Sequence, residues 1–143
     1  MGKTGKKLTR QQRHWRIAAL ISVPVMVLLV VALVPAWRRH QAKRDVDILA
    51  LALRGFVAEN GHYPTGTRAQ IAALLQGETV GGQNPKRLDY VVASMGEMNA
   101  AGEFVDPWGT PYRLGDGTDA RAYSCGQNRK DEAGDGDDIA SWK

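Results

Sequence analysis

The chain has 143 residues, room for one compact domain and little besides. Its net charge of +4 is sorted along the chain: ten Lys and Arg precede the first acid, Asp45, whereas residues 45–143 carry nine bases against fifteen acids. A folded part with net charge −6 repels phosphate, which argues against nucleic acid as its partner.

Residues 1–16 form a basic segment, expected in the cytoplasm. Residues 17–37 run without a charge. At about 1.5 Å per residue they span roughly 30 Å, the hydrocarbon thickness of a bilayer. Trp15 and Trp37 flank the run where interfacial aromatics are favoured, with arginines outside them. A buried core helix would need more surrounding chain than remains. A cleaved secretory signal peptide is the other rival. The run, however, exceeds the roughly 7–15 apolar residues of a signal core, and Trp37-Arg38-Arg39 stand where small residues would be cleaved. The expectation is one transmembrane helix over 17–37. Six bases precede it and four follow, so the N-terminus should stay in the cytoplasm and residues 38–143 should face away from it. The single Cys125 permits no internal disulfide.

Beyond the apolar run, Val46, Leu49, Leu53, Phe56 and Val57 recur at spacings of three and four, the stripe of an amphipathic helix. No Pro or Gly interrupts residues 36–54, so one helix should continue from lipid into water. Asn60-Gly61 supplies a left-handed stop and Pro64 a second barrier. Pro24 and Pro35 should bend the membrane part. A second helix is predicted over 68–76, with Thr67 and Gln70 forming a capping box, Gly77 closing it, and Ile71, Leu74 and Leu75 on one face. Residues 78–87 read as loop. Short strands are predicted at 88–93, 103–105, 112–114 and 122–125, with a turn at Asp106-Pro107-Trp108-Gly109. The expected fold is α+β: a long N-terminal helix, transmembrane then amphipathic, packed on a small antiparallel sheet.

The last twenty residues hold the chemistry. Asp131, Glu132, Asp135, Asp137 and Asp138 crowd together, and Gly126, Gly134 and Gly136 let the backbone turn tightly enough for oxygens to converge. Carboxylates, an Asn amide and main-chain carbonyls are the hard ligands Ca²⁺ selects; Mg²⁺ wants a stricter octahedron, Zn²⁺ nitrogen or sulfur. An EF-hand does not fit, because Ala133 takes the place of the third-position ligand in a loop begun at Asp131 and no Glu closes a twelve-residue loop. The competing reading is a solvated acidic tail. Ile139 and Trp142 directly after the acids argue for a chain that returns to a core.

Three stretches carry a resemblance. Glu59-Asn-Gly-His-Tyr-Pro-Thr65 resembles the helix-ending Asn-Gly-x-Tyr-Pro-Thr of the major pseudopilin of type II secretion systems. Asp106-Pro-Trp-Gly-Thr-Pro-Tyr-Arg113 is similar to that family's hairpin. Ser124-x-Gly126, a Gly- and Asp-rich loop and Asp138-Ile139-x-x-Trp142 resemble its calcium loop and terminus. The resemblance implies a pilin-like fold whose soluble domain spans residues 38–143, with the loop at 124–142. It implies Ca²⁺ as cofactor, with ligands among Asp138, Asp137, Asp135, Asn128 and Asp131. It further implies a single-pass bacterial inner-membrane protein with a periplasmic domain. Its partners would be copies of itself, other pseudopilins and inner-membrane assembly components.

Two departures stand beside the resemblance. The family's leader ends in Gly-Phe with a Glu five residues into the mature chain; here Arg13-His14-Trp15-Arg16 runs into Ile17-Ala18-Ala19 with no acid. In the loop, Asn128-Arg129 replaces the usual Asp-Gly. The alternative function is therefore a non-polymerising, membrane-anchored binding or scaffold protein that reuses the fold. No enzyme is expected: His14, His40 and His62 have no acid or nucleophile at a known spacing, and Cys125 has no activating His nearby. No small-molecule substrate is implied.

Overall fold

The computed structural model describes residues 10–91, 95–115, 117 and 119–143, and side chains from residue 22 onward except residue 23. Helix α1 spans Arg10–Asn60, with Pro24 and Pro35 inside it. The chain divides into two compact units, Met1–Trp37 and Arg38–Lys143. Much of the basic segment lies outside the described residues, and the side chains of the first five residues of the expected 17–37 span lie outside them too. Among the described residues, no helix is long and apolar enough to cross a membrane. From Val25 to Val34 the large apolar side chains of α1 are exposed, Leu28, Val31 and Leu33 by more than 60%.

In the second unit α1 is one-sided. Val46, Leu49, Leu53 and Phe56 are buried, while Arg44, Asp47, Leu51 and Arg54 face outward. The helix stops where the sequence supplies a left-handed residue: Gly61 has φ +76° and donates its N–H to Val57 O at 2.8 Å, and Asn60 Nδ2 donates to Phe56 O. Helix α2 spans Arg68–Leu75. Thr67 accepts from Gln70 N while Gln70 Oε1 accepts from Thr67 N, the reciprocal capping box. Such a cap contributes about 0.5–2 kcal/mol. Gln76 is the C-cap rather than the last helical residue.

The sheet is small and antiparallel, in the order β1 (Arg113–Leu114), β2 (Ala122–Ser124), β3 (Ile139–Ala140). Its registers are Arg113 with Tyr123 and Ser124 with Ile139. Among the described residues, two of the expected strands do not form ladders. In the 88–93 stretch, Asp89 makes one isolated bridge to Gln76, and Tyr90 N and Val91 N donate to Leu75 O. This segment follows the end of α2 rather than a neighbouring strand; residues 92 and 93 lie outside the described residues. Residues 103–105 make single bridges, Phe104 with Met98 and Val105 with Pro111. Pro111 has no N–H to extend a ladder there. The strand β3 was expected only as a return of the chain to the core at Ile139.

One core joins these elements. Val46, Leu49 and Phe56 of α1, Leu74 and Leu75 of α2, and Phe104, Trp108, Tyr112, Ala122 and Ile139 belong to one buried cluster. Phe56 and Leu49 are fully buried, each worth about 1.5–3 kcal/mol of transfer free energy. The architecture is thus α+β, a long helix with a three-stranded antiparallel sheet.

Candidate metal centre

The acidic loop is closed at its base by the pairing of β2 with β3, so Cys125 and Asp138 begin and end one compact excursion. Ser124 fastens that base to the turn before β1. Its hydroxyl donates to Asp106 Oδ2 at 2.6 Å and accepts from Gly126 N at 3.0 Å. The other Asp106 oxygen accepts from Trp108 N and Thr110 N, so this buried carboxylate is fully engaged in holding the 106–110 turn.

Within the loop the backbone turns where glycine is required. Gly126 has φ +64°, and a Cβ there would overlap the main-chain oxygen of Asp137. Gly134 has φ +88° and lies directly under the Trp142 ring, where no Cβ fits. Trp142 meets Tyr123 edge-on with centroids 5.8 Å apart, and the Arg121 guanidinium lies 5.2 Å from the Trp142 ring centroid.

These turns bring three carboxylates together. Glu132, Asp137 and Asp138 each offer an oxygen within 4.8 Å of the others. Asp138 is 5% exposed; its Oδ2 accepts from Glu132 N at 3.0 Å and Gly134 N at 2.8 Å, while its buried Oδ1 accepts nothing. Asp137 Oδ2 accepts from Asn128 N at 3.0 Å, and its buried Oδ1 is likewise without a partner. Glu132 Oε2 accepts from Asp137 N at 3.1 Å and Asn128 Nδ2 at 3.2 Å. Buried carboxylate oxygens left bare are costly, and a hard divalent cation held by such a cluster removes that cost. The donor set therefore fits such an ion.

No family model, curated protein or solved structure matches the chain.

The residues named from sequence take different positions. Asp137 and Asp138 meet in the cluster, with Glu132 in place of a further Asp. Asn128 stands beside it, its amide donating to Glu132 and its Oδ1 accepting from Lys130 N at 2.6 Å. Asp135 is turned outward, 92% exposed and 3.8 Å from Lys143 Nζ. Asp131 serves another purpose: it accepts from Tyr123 Oη at 2.8 Å and pairs with the Arg113 guanidinium at 2.9 Å. The Tyr123 hydroxyl, then the Ala133 amide and Arg113, hold its carboxyl below the usual range. Burial and Asp131 together push the Tyr123 hydroxyl up to about 12. Glu132 escaped the ligand set read from sequence. Its signal was the Ala133-Gly134-Asp135-Gly136 turn, which folds Asp137 and Asp138 back over it. Cys125 is buried, and burial pushes its thiol up, away from reactivity.

Proposed function

We propose that the protein is a membrane-anchored, pseudopilin-like structural subunit of a type II secretion or pilus-like envelope assembly, with Ca²⁺ stabilising its C-terminal loop. One observation carries this reading. Asp137 and Asp138, each with a buried oxygen that accepts no hydrogen bond, meet Glu132 inside the loop that resembles the pseudopilin calcium loop. Glu132, Asp137 and Asp138 would hold the ion, which when bound supplies charge neutralisation and a fixed loop conformation. An all-oxygen donor set favours Ca²⁺ over Zn²⁺.

Two further features support it. The apolar side chains of α1 from Val25 to Val34 are exposed, an arrangement that water disfavours and a bilayer favours. The buried stripe of α1 shares its core with the small antiparallel sheet, as a pilin-like fold requires. In this reading the N-terminus is cytoplasmic and residues 38–143 are periplasmic. The partners are other copies, related pseudopilins and inner-membrane components, and neither enzymatic activity nor a small-molecule substrate belongs to the chain.

A second reading is favoured by residues 13–22, where Arg13-His14-Trp15-Arg16 runs into Ile17-Ala18-Ala19 without a Gly-Phe step or a Glu. In it the protein is a permanently anchored scaffold or binding module that does not polymerise. The intact mass of membrane-extracted protein separates the two, since a trimmed and methylated N-terminus belongs only to the polymerising subunit. The metal is tested by calorimetric titration of the full chain in detergent. One Ca²⁺ site is expected, and no heat at millimolar Ca²⁺ would reduce the loop to a solvated acidic excursion.

A further inference from the structure

Where the acidic loop returns to β3 the chain carries a second feature, of opposite charge. Arg39, His40 and Lys43 of α1 and Lys143 at the end of the chain line an open groove of about 330 Å³, floored by Ile139 and Ala140. Positions 39, 40 and 43 fall on one face of the helix by their spacing. Lys43 fixes the floor: its Nζ donates to Ala140 O at 3.1 Å and to Asp47 Oδ1 at 2.8 Å, which leaves one of its three N–H groups. Arg39 and His40 are exposed and have no ion-pair partner among the described residues. Lys143 has only the loose 3.8 Å approach to Asp135. The acid that borders the groove, Asp138, is 5% exposed; its Oδ2 accepts from two backbone amides and its Oδ1 is buried, so neither oxygen is openly presented to an anion there.

We propose that this groove binds the phosphate of an anionic phospholipid. The inference rests on the membrane-anchored reading of residues 17–37. Arg39 follows Trp37, the last residue of the apolar run, by two positions, which is the headgroup level if that run lies in the bilayer. The guanidinium fork of Arg39 suits two phosphate oxygens, and the Lys43 and Lys143 ammonium groups supply further charge-assisted donors. Ile139 gives the lipid's glycerol carbons an apolar wall. A zwitterionic headgroup fits poorly, because its ammonium would meet the Lys43 and Lys143 ammonium groups. Binding here would pin β3, and with it the base of the acidic loop, to the membrane surface.

The test uses the full chain in zwitterionic detergent, with retained lipid counted by native mass spectrometry during titration with phosphatidylglycerol or phosphatidylcholine. Inorganic phosphate is titrated in parallel and followed by ³¹P NMR. We expect one phosphatidylglycerol per chain, no retained phosphatidylcholine, and weaker binding in Arg39→Ala/Lys143→Ala by roughly thirtyfold. Arg54→Ala/Lys86→Ala, which removes the same charge elsewhere on the surface, should leave binding unchanged. Equal weakening by both pairs, or phosphatidylglycerol retained undiminished by the first, overturns the groove. Inorganic phosphate bound as tightly as the lipid overturns the lipid as its source. A chain that stays out of detergent micelles overturns the anchored reading and this proposal together; one that enters them but holds no phosphatidylglycerol overturns this proposal alone.

Discussion

The Tyr112 hydroxyl donates to Asp45 Oδ2 at 3.0 Å across 67 positions of sequence, and both side chains are buried. Asp45 Oδ1 accepts no hydrogen bond; the nearest cation, the Arg44 guanidinium, is 3.7 Å away and largely exposed. Burial raises the Asp45 carboxyl above its ordinary 3.8, with the Tyr112 bond and Arg44 only partly offsetting it. Tyr112→Phe leaves this carboxylate with neither oxygen bonded, at a cost of about 1–3 kcal/mol.

The pH dependence of that pair has a definite sign. The folded state holds the Asp45 proton to higher pH than the unfolded chain does, so this group's contribution to stability grows as pH falls from neutral toward 3.8. Asp45→Asn should remove the gain while retaining an acceptor for Tyr112. Thermal unfolding of the full chain in detergent, followed by near-UV circular dichroism from pH 7 to pH 4, checks it. A variant with the wild-type slope would clear Asp45 of the effect.

Asp131 acts in the opposite direction. Its lowered pKa means that its contribution is present above 3.8 and is lost as pH falls below that value. Tyr123→Phe removes the largest cause and should flatten this acid limb, with Arg113→Met flattening it less. The same melts, extended to pH 2, separate the two carboxylates, because only the Tyr123 and Arg113 variants alter the lower limb.

Metal linkage is read by a chelator. If the ion binds the folded loop alone, a hundredfold excess over Kd adds about 2.7 kcal/mol. Asp138→Asn should abolish the rise in Tm on adding Ca²⁺ while changing the Tm in EGTA far less, since the Asn oxygen can still accept from Glu132 N and Gly134 N. Equal Tm losses with and without Ca²⁺ would assign Asp138 to loop architecture only. Glu132→Gln should weaken Ca²⁺ binding, whereas Asp135→Asn, at a position turned to solvent, should not.

Asn84 offers a test of the fold alone. It is fully buried at φ +52°; its Nδ2 donates to Leu74 O and Leu88 O, and its Oδ1 accepts from Leu88 N. Asn84→Ala should cost about 2–4 kcal/mol through the buried groups it strands. Asn84→Gly strands the same groups without the left-handed penalty and should be the milder change by about 1 kcal/mol. Denaturant melts of the two variants give the comparison.

The sequence by itself determined what neighbours along the chain decide. The end of α1 at Asn60-Gly61, the Thr67–Gln70 capping box and the Asp106–Gly109 turn each depend on residues within four positions, and each stands where the sequence predicts it. The buried stripe Val46, Leu49, Leu53, Phe56 followed from helical periodicity, with Val57 half-buried at its edge. Tertiary structure decided the rest. Strands of two or three residues have no periodicity to detect, and whether 88–91 pairs with a strand or follows α2 turned on Asn84 gripping Leu74 and Leu88. Five crowded acids were visible in the sequence. Which of them converge depended on Arg113 and Tyr123 drawing Asp131 away and on the glycine turns folding Asp137 and Asp138 over Glu132. A local pattern fixes backbone conformation over a turn or two, but a carboxylate's partner is chosen by groups that only folding brings within hydrogen-bond reach.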